Sequence, residues 1–499
     1  MRMWMLDVAR EQCVTREHLF RYATETLDAG YDALGLYLEH RFAYPSTPWS
    51  HGTGVLTPET IRAVRSEFPS LRLVPFVNLL GHVEGFLYTE PGHRWAEEEM
   101  KGLQACPSNP DFVRFAEGIL DDTLAIFDDE WVHIGGDETA QLGKCPSCQA
   151  RVDAYPGDGK AALYAEHFGP LAARVVQAGR TPAVWGDMFL EHPDALAAMP
   201  RETVLFDWQY FNGVADTAAR LGAHGHRVVG CPALHVYNAA WMHLGPSDEN
   251  IRQVSRDVQA LKLEGVCLTT WETTMFSSYD TLLPAVRAAR AIMDDPEGAP
   301  SLLSAYDSEW ANLMGVALNE LGGVWGHSRH RHKLKSRMFL YADPFLASQH
   351  HAEEICGPVG DQALALVERA FAATDDEAEK GVALACRSMI EFVRMAHVAH
   401  LLYAEGQTER AVSALAPTRY LFETLERTAK RTHERIGGSL ADIERARRAK
   451  AHVETVIQRI RQYGDGSLGY VPAWNVLTHP NFMPHDQASW WIVNAWGRP

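Results

Sequence analysis

Eight short apolar runs recur through about the first 300 residues, and helical patterns separate them. This alternation constrains the fold more than any other feature of the chain. The runs are Met1–Val8, Ala33–Glu39, Leu71–Asn78, Trp131–Glu138, Thr181–Asp187, Thr203–Gln209, Arg227–Leu234 and Gly265–Glu272. Each is rich in Val, Leu, Phe or Trp without polar alternation, the texture of a strand buried on both faces in a parallel sheet. Thr15–Ala29, Thr57–Phe68, Asp111–Phe127, Ala161–Ala178, Val214–Leu221 and Ser247–Leu263 carry helical periodicity between the runs, and Tyr279–Met293 follows the last. Eight strand–helix units over this length predict an α/β fold, a (β/α)₈ TIM barrel. An open doubly wound sheet fits less well, because no Gly-rich phosphate loop follows the first run.

Past residue 300 the texture changes to almost continuous helix. Val382, Met389, Phe392, Val393 and Ala396 fall near 3.6 spacing, and Leu421, Leu425, Ile436 and Ile443 sit in charged helical stretches. The chain therefore divides into a barrel over 1–300 and an α-helical domain over 301–499, with Gly357–Gly360 and Gly437–Gly438 as turns. The tail, with Tyr470, Trp474, Phe482, Trp490, Trp491 and Trp496, needs burial against the barrel or a second subunit.

Charge narrows the function classes. Among 499 residues, 46 Lys and Arg face 64 Asp and Glu, a formal charge of −18. That argues against nucleic acid or an anionic membrane surface as partner. No apolar run reaches the roughly 18 residues of a membrane span. Asp7 and Arg10 interrupt the opening stretch where a signal peptide needs its apolar core, so a cytoplasmic location is expected. Eight cysteines in a chain this long do not make a disulfide scaffold.

In such a barrel the chemistry sits at the C-terminal strand ends. Those ends read Glu39-His40, Asn78 with His82 beyond, Gly135-Gly136-Asp137-Glu138, Trp185-Gly186-Asp187, Asp207-Trp208-Gln209, His235-Val236-Tyr237-Asn238 and Trp271-Glu272. Carboxylates and tryptophans thus gather on one rim, a combination suited to a sugar: C–H faces stack on indole while hydroxyls donate to carboxylates. In His133-Ile134-Gly135-Gly136-Asp137-Glu138, two glycines permit a tight turn before two adjacent carboxylates. Like charges so close push one pKa up, leaving a neutral acid near pH 7 for a leaving oxygen. The plainer alternative is an Asp-Glu pair opening a helix.

The HIGGDE segment resembles the catalytic motif of glycoside hydrolase family 20, the β-N-acetylhexosaminidases. The resemblance covers roughly residues 1–290. It implies an exo-acting, retaining enzyme for terminal β-linked GlcNAc or GalNAc, working through a substrate-assisted oxazolinium intermediate. On this resemblance Asp137 orients the acetamido group and Glu138 is the acid and base. Arg2 holds sugar hydroxyls, His82 matches a Gly-His pair, Trp185, Trp208 and Trp271 wall the pocket, and Tyr237 bonds the acetamido carbonyl. Asn238 and Glu272 also fall at substrate-binding positions. Asn78 replaces an acidic residue of the family, and Trp271-Glu272 lacks the residue that usually separates the pair. No cofactor is required. The partner is a glycan or small glycoside ending in N-acetylhexosamine, with a homodimer as the expected assembly. The competing readings are a metal-dependent barrel hydrolase and a non-catalytic amino-sugar-binding protein.

Cys145-Pro-Ser-Cys148 with Cys106 upstream is most of a structural zinc site, with His93 as a guessed fourth ligand. Free thiols at a helix start are the alternative. Cys231 and Cys267 read as small core residues. His327, His330 and His332 among basic residues read as a solvated helix face.

Overall fold

The computed structural model describes residues 1–9, 14–50, 55–98, 103–236, 239–271, 279–306, 308–321, 344–436 and 440–467. Eight strands close into a parallel barrel in sequence order: β1 (Arg2–Asp7), β2 (Ala33–Tyr37), β3 (Arg72–Phe76), β4 (Trp131–His133), β5 (Thr181–Trp185), β6 (Val204–Trp208), β7 (Arg227–Cys231) and β8 (Gly265–Thr270). Closure is between β1 and β8, with Arg2 opposite Val266 and Leu6 opposite Thr270.

The absence of polar alternation in the sequence follows from two separate cores. Met3, Met5, Tyr37, Phe76, Ala183, Trp185, Val204 and Phe206 fill the interior. Their neighbours Trp4, Leu6, Leu34, Leu36, Val184 and Leu205 face the surrounding helices. Trp4 meets Tyr22 edge-on at 5.9 Å and donates its indole N–H to Thr270 Oγ1 at 2.9 Å. Cys231 and Cys267 are fully buried in the interior core.

The helices start where their caps dictate. Thr15, Thr57, Asn109 and Asp158 each accept first-turn N–H groups with a side-chain oxygen, and Pro58 and Pro110 sit where no donor is needed. β4 is shorter than its apolar run: Gly135 and Gly136, at φ +77° and +102°, turn the chain off the sheet. β1 begins at Arg2, placing that residue at the N-terminal face of the barrel.

Beyond the barrel helix Leu283–Asp294, every element among the described residues is a helix, joined by short turns. The long helix Glu377–Ala404 packs against Pro344–Ile355, Pro358–Ala372, Thr408–Leu415 and Thr418–Ile436. Val382, Met389, Phe392, Val393 and Ala396 are all buried along it. The joint with the barrel lies on the β7–β8 side. Trp241 stacks edge-on against Trp310 at 4.5 Å and donates to Thr281, while Asn319 donates to the Met242 carbonyl. Among the described residues no helix is long and apolar enough to cross a membrane. The aromatic tail, the His327–His332 cluster and Gly437–Gly438 lie outside the described residues.

Interior packing makes a direct prediction. A Cβ at Gly35 falls 2.7 Å from the Phe76 ring and 3.2 Å from Met3 Sδ, whereas one at Gly222 meets nothing within 4 Å. Gly35→Ala is expected to lose about 1–3 kcal/mol by overpacking. Gly222→Ala, at the end of a helix, should hold or gain up to about 1 kcal/mol. Urea unfolding of the two variants against the parent checks both.

Candidate active site

Three of the four non-glycine residues with positive φ among those described are Glu39, His82 and Glu138, at φ +39°, +51° and +48°. All three follow C-terminal strand ends. Backbone strain of this kind persists where surrounding structure over-determines it, and it clusters at functional sites.

The loop after β3 is anchored first. The Leu79 carbonyl accepts from His167 Nε2 at 2.7 Å and the Leu80 carbonyl from Ala105 N at 3.0 Å. Gly81 has no side chain because the Asp137 carbonyl lies 2.7 Å from where its Cβ would stand. Asn78 donates to the Tyr37 hydroxyl at 2.5 Å and to the His82 carbonyl at 3.2 Å, tying β2 and β3 to the turn that carries His82.

The loop after β4 is supported from below. His133 is fully buried, stacked on Phe76 at 4.3 Å, and its Nδ1 accepts the Gly135 N–H at 3.1 Å. Burial holds its pKa well below the ordinary value, so the ring is a neutral acceptor. Tyr164 donates to the Gly136 carbonyl at 2.8 Å. Glu138 N–H donates to Asp187 Oδ2 at 2.9 Å, which pins the strained turn.

These two loops bring His82, Asp137 and Glu138 together. His82 Nε2 lies 3.4 Å from Asp137 Oδ2 and 3.2 Å from Glu138 Oε2, and its Nδ1 is 3.8 Å from Glu84 Oε1. Asp137 is buried, while the Glu138 side chain is 51% exposed. Burial works against a charge on His82, but Asp137, Glu138 and Glu84 outweigh it and hold its pKa well above the ordinary value. Ligand atoms of His82, Asp137 and Glu138 lie within 4.8 Å of one another. The carboxyl that burial and the Asp137 charge push up, to about 8, is Asp187.

An aromatic wall adjoins the acids. Trp271 lies 5.0 Å edge-on from Tyr37 and 5.9 Å from Trp185, and its indole N–H donates to the Tyr210 hydroxyl at 2.7 Å. Trp208 lies against Tyr210 at 5.1 Å, the two rings tilted by 31°.

His82, Asp137, Glu138, Trp185, Trp208 and Trp271 therefore share one end of the barrel. Arg2 does not join them: it starts β1 at the opposite face and pairs with Asp294 at 2.9 Å, so the sugar-hydroxyl role expected for it is corrected. Asp207, expected on the acidic rim, accepts from Thr217 and from Gln209 at 3.1 Å and is tied up beside the following helix. Tyr237, Asn238 and Glu272 lie outside the described residues. Cys106, Cys145 and Cys148 come together, but His93 is exposed, with its ring on the Glu90 carbonyl, and Glu97 completes their cluster instead. Sequence reasoning assigned no role to Glu84, His133, Asp187 or Tyr210. Of these, Asp187 carried a signal, the Trp-Gly-Asp at the end of β5.

Residues 79–272 match the model of "Glycosyl hydrolase family 20, catalytic domain". A β-hexosaminidase of Akkermansia muciniphila is 34% identical over 93 residues, 18% of this chain and 19% of that protein. The chain thus spans about a fifth of the curated relative it matches. Among solved structures, the Flavobacterium johnsoniae chitobiase is similar at 13% identity, with a TM-score of 0.49 over 90% of this chain and 78% of its own. The β-N-acetylhexosaminidase of Bacteroides fragilis is similar at 19% identity and a TM-score of 0.44, over 54% and 60%. The family match spans both loops of the acidic cluster and the strand ends as far as Trp271, so this stretch of the barrel is similar to that catalytic domain.

Proposed function

We propose that this chain is an exo-acting, retaining β-N-acetylhexosaminidase whose nucleophile is the substrate's own 2-acetamido oxygen. It removes terminal β-linked GlcNAc or GalNAc from a glycan or small glycoside. The observation that carries the reading is the split environment of Asp137 and Glu138, consecutive carboxylates of which one is buried and the other half-exposed, with His82 reaching both. The name of the Akkermansia relative agrees with it.

The geometry suits each step. Asp137 Oδ2 is held by His82, while its buried Oδ1 has no hydrogen-bond partner among the described residues. An acetamido N–H donating to Oδ1 would satisfy that atom, aim the carbonyl oxygen at C1 and place a negative charge beside the forming oxazolinium. Glu138, at the open side, protonates the departing oxygen and later takes a proton from the attacking water. His82, 3.2 Å away, exchanges a proton with it. Trp185, Trp208 and Trp271 stack the sugar's C–H faces. The family resemblance gives Tyr237 the acetamido carbonyl, and Asn238 and Glu272 the hydroxyls. An intramolecular nucleophile is worth up to roughly 7–11 kcal/mol of barrier, so the protein supplies none and needs no cofactor for the reaction.

The test is hydrolysis of chromogenic β-GlcNAc, β-GalNAc and plain β-glucoside. Only the two 2-acetamido substrates are expected to turn over. Glu138→Gln and Asp137→Asn should each lower kcat/KM on the order of 10²- to 10⁴-fold. Cleavage of the plain glucoside, or full activity in both variants, would overturn the reading. Activity abolished by a chelator, with Asp137 dispensable, would point to the metal-dependent hydrolase, and tight binding without turnover to a sugar-binding protein.

A pH prediction follows from Asp187. Its carboxyl titrates near 8 in the fold, so between its ordinary range and pH 8 the folded chain must take up a proton that the unfolded chain lacks. That uptake weakens the fold progressively as pH rises through the window. Asp187→Asn keeps an acceptor for Glu138 N–H and needs no proton. Its stability relative to the parent should therefore rise from pH 5 to pH 8 in urea unfolding; a constant difference would contradict the assignment.

A further inference from the structure

Behind the catalytic loop lies a cluster that the proposed reaction does not use. Glu97, Cys106, Cys145 and Cys148 offer ligand atoms that all lie within 4.8 Å of one another. Two loops supply them. In the first, Ala96 and Ala105 form an antiparallel bridge, with Glu97 N–H donating to the Gln104 carbonyl at 2.9 Å and Cys106 N–H to the Trp95 carbonyl at 2.7 Å. This sets Glu97 and Cys106 side by side. In the second, Pro146 opens the helix Pro146–Ala154 and Cys145 caps it, its Sγ accepting Cys148 N–H at 3.3 Å. One helical turn then brings Cys148 next to Cys145.

The distances fit one tetrahedral ion. Cys106 Sγ lies 3.5 Å from the Sγ of both Cys145 and Cys148. Zinc–sulfur bonds of about 2.3 Å in a tetrahedron place sulfurs about 3.8 Å apart, whereas a disulfide needs about 2.05 Å. Glu97 Oε2 is 3.3 Å from Cys148 Sγ, and its Oε1 accepts the Cys145 N–H at 2.9 Å, which aims the carboxylate into the cluster. Glu97 and Cys148 are 3% and 0% exposed. A carboxylate buried against three sulfurs is costly unless a cation compensates it. Sulfur-rich donors favour zinc over magnesium or calcium, and four protein ligands leave no open position for chemistry.

The geometry points to a closed structural zinc site formed by Glu97, Cys106, Cys145 and Cys148, clamping the loop after β3 to the loop after β4. The clamp is continuous with the acidic cluster. Gln104 and Gln141 exchange two hydrogen bonds at 3.0 and 3.1 Å, and Gln104 bridges to Gly81, the neighbour of His82. The ion would therefore fix the relative position of the loops that carry His82 and the Asp137-Glu138 pair.

The full chain, purified under reducing conditions without a metal-affinity step, is the material for the test. Elemental analysis should find about one zinc per chain. X-ray absorption at the zinc edge should find three sulfurs near about 2.3 Å and one oxygen near about 2.0–2.2 Å. Cys106→Ser and Cys148→Ser should each lose most of the zinc. Glu97→Cys should keep it with a four-sulfur shell, a result that stands even if the serine variants fold poorly. Two outcomes would overturn the site: a reduced chain that takes up no zinc when titrated with it, or Glu97→Cys with an unchanged shell. None of these readouts depends on glycosidase activity, so the site stands or falls apart from the proposed reaction.

Discussion

One buried imidazolium between two consecutive carboxylates organises the rim of this barrel. Asp137 and Glu138 are adjacent in the chain, and a plain extended backbone would send them to opposite sides. The positive φ of Glu138 and of His82 instead folds the two loops toward each other until one ring reaches both acids. Each such backbone costs on the order of 1–3 kcal/mol. What offsets it is visible in the surroundings: Asp187 holds the Glu138 amide, Asn78 holds the His82 carbonyl, and Gly81 lets the Asp137 carbonyl approach. Removing the ring would leave two carboxylates without their common counter-charge and two strained turns without a purpose.

The layer beneath is apolar and neutral, which keeps that charge local. His133 lies inside the barrel below the turn as an uncharged acceptor, wedged among Phe76, Trp185 and Phe206. The same tryptophan therefore serves two layers, packing on His133 below and reaching Trp271 in the aromatic wall. Pocket floor and barrel core are one continuous packing problem, and a change in either reaches the other.

The barrel was legible because its signal is repeated eight times and depends only on local apolar runs and the helices between them. The Asp137-Glu138 pair was legible because two glycines before two acids leave few structural alternatives. Arg2 was misplaced because a resemblance identifies a residue but not the end of the strand on which its side chain emerges. Asp207 was misread for a related reason: being next to a strand end does not decide which side a carboxylate faces, and Thr217 settles that. The raised pKa of Asp187 depends on burial and on a neighbour fifty residues away, neither of which has a local signature. Glu97 was invisible among the many glutamates until the bridge at Ala96 set it beside Cys106, whereas the three cysteines were conspicuous because cysteine is scarce.

Barrel closure has a consequence for how the chain is made. Trp4 bonds to Thr270 across a sequence separation of 266 residues, and β1 pairs with β8 from Arg2 to Leu6 on that side. At a synthesis rate of about 5–20 residues per second, the free edge of β1 waits on the order of ten seconds or more for its partner to be made. During that interval it is an apolar strand with unsatisfied backbone donors and acceptors, open to any other extended segment nearby. The last barrel strand thus acts as the cover for the first.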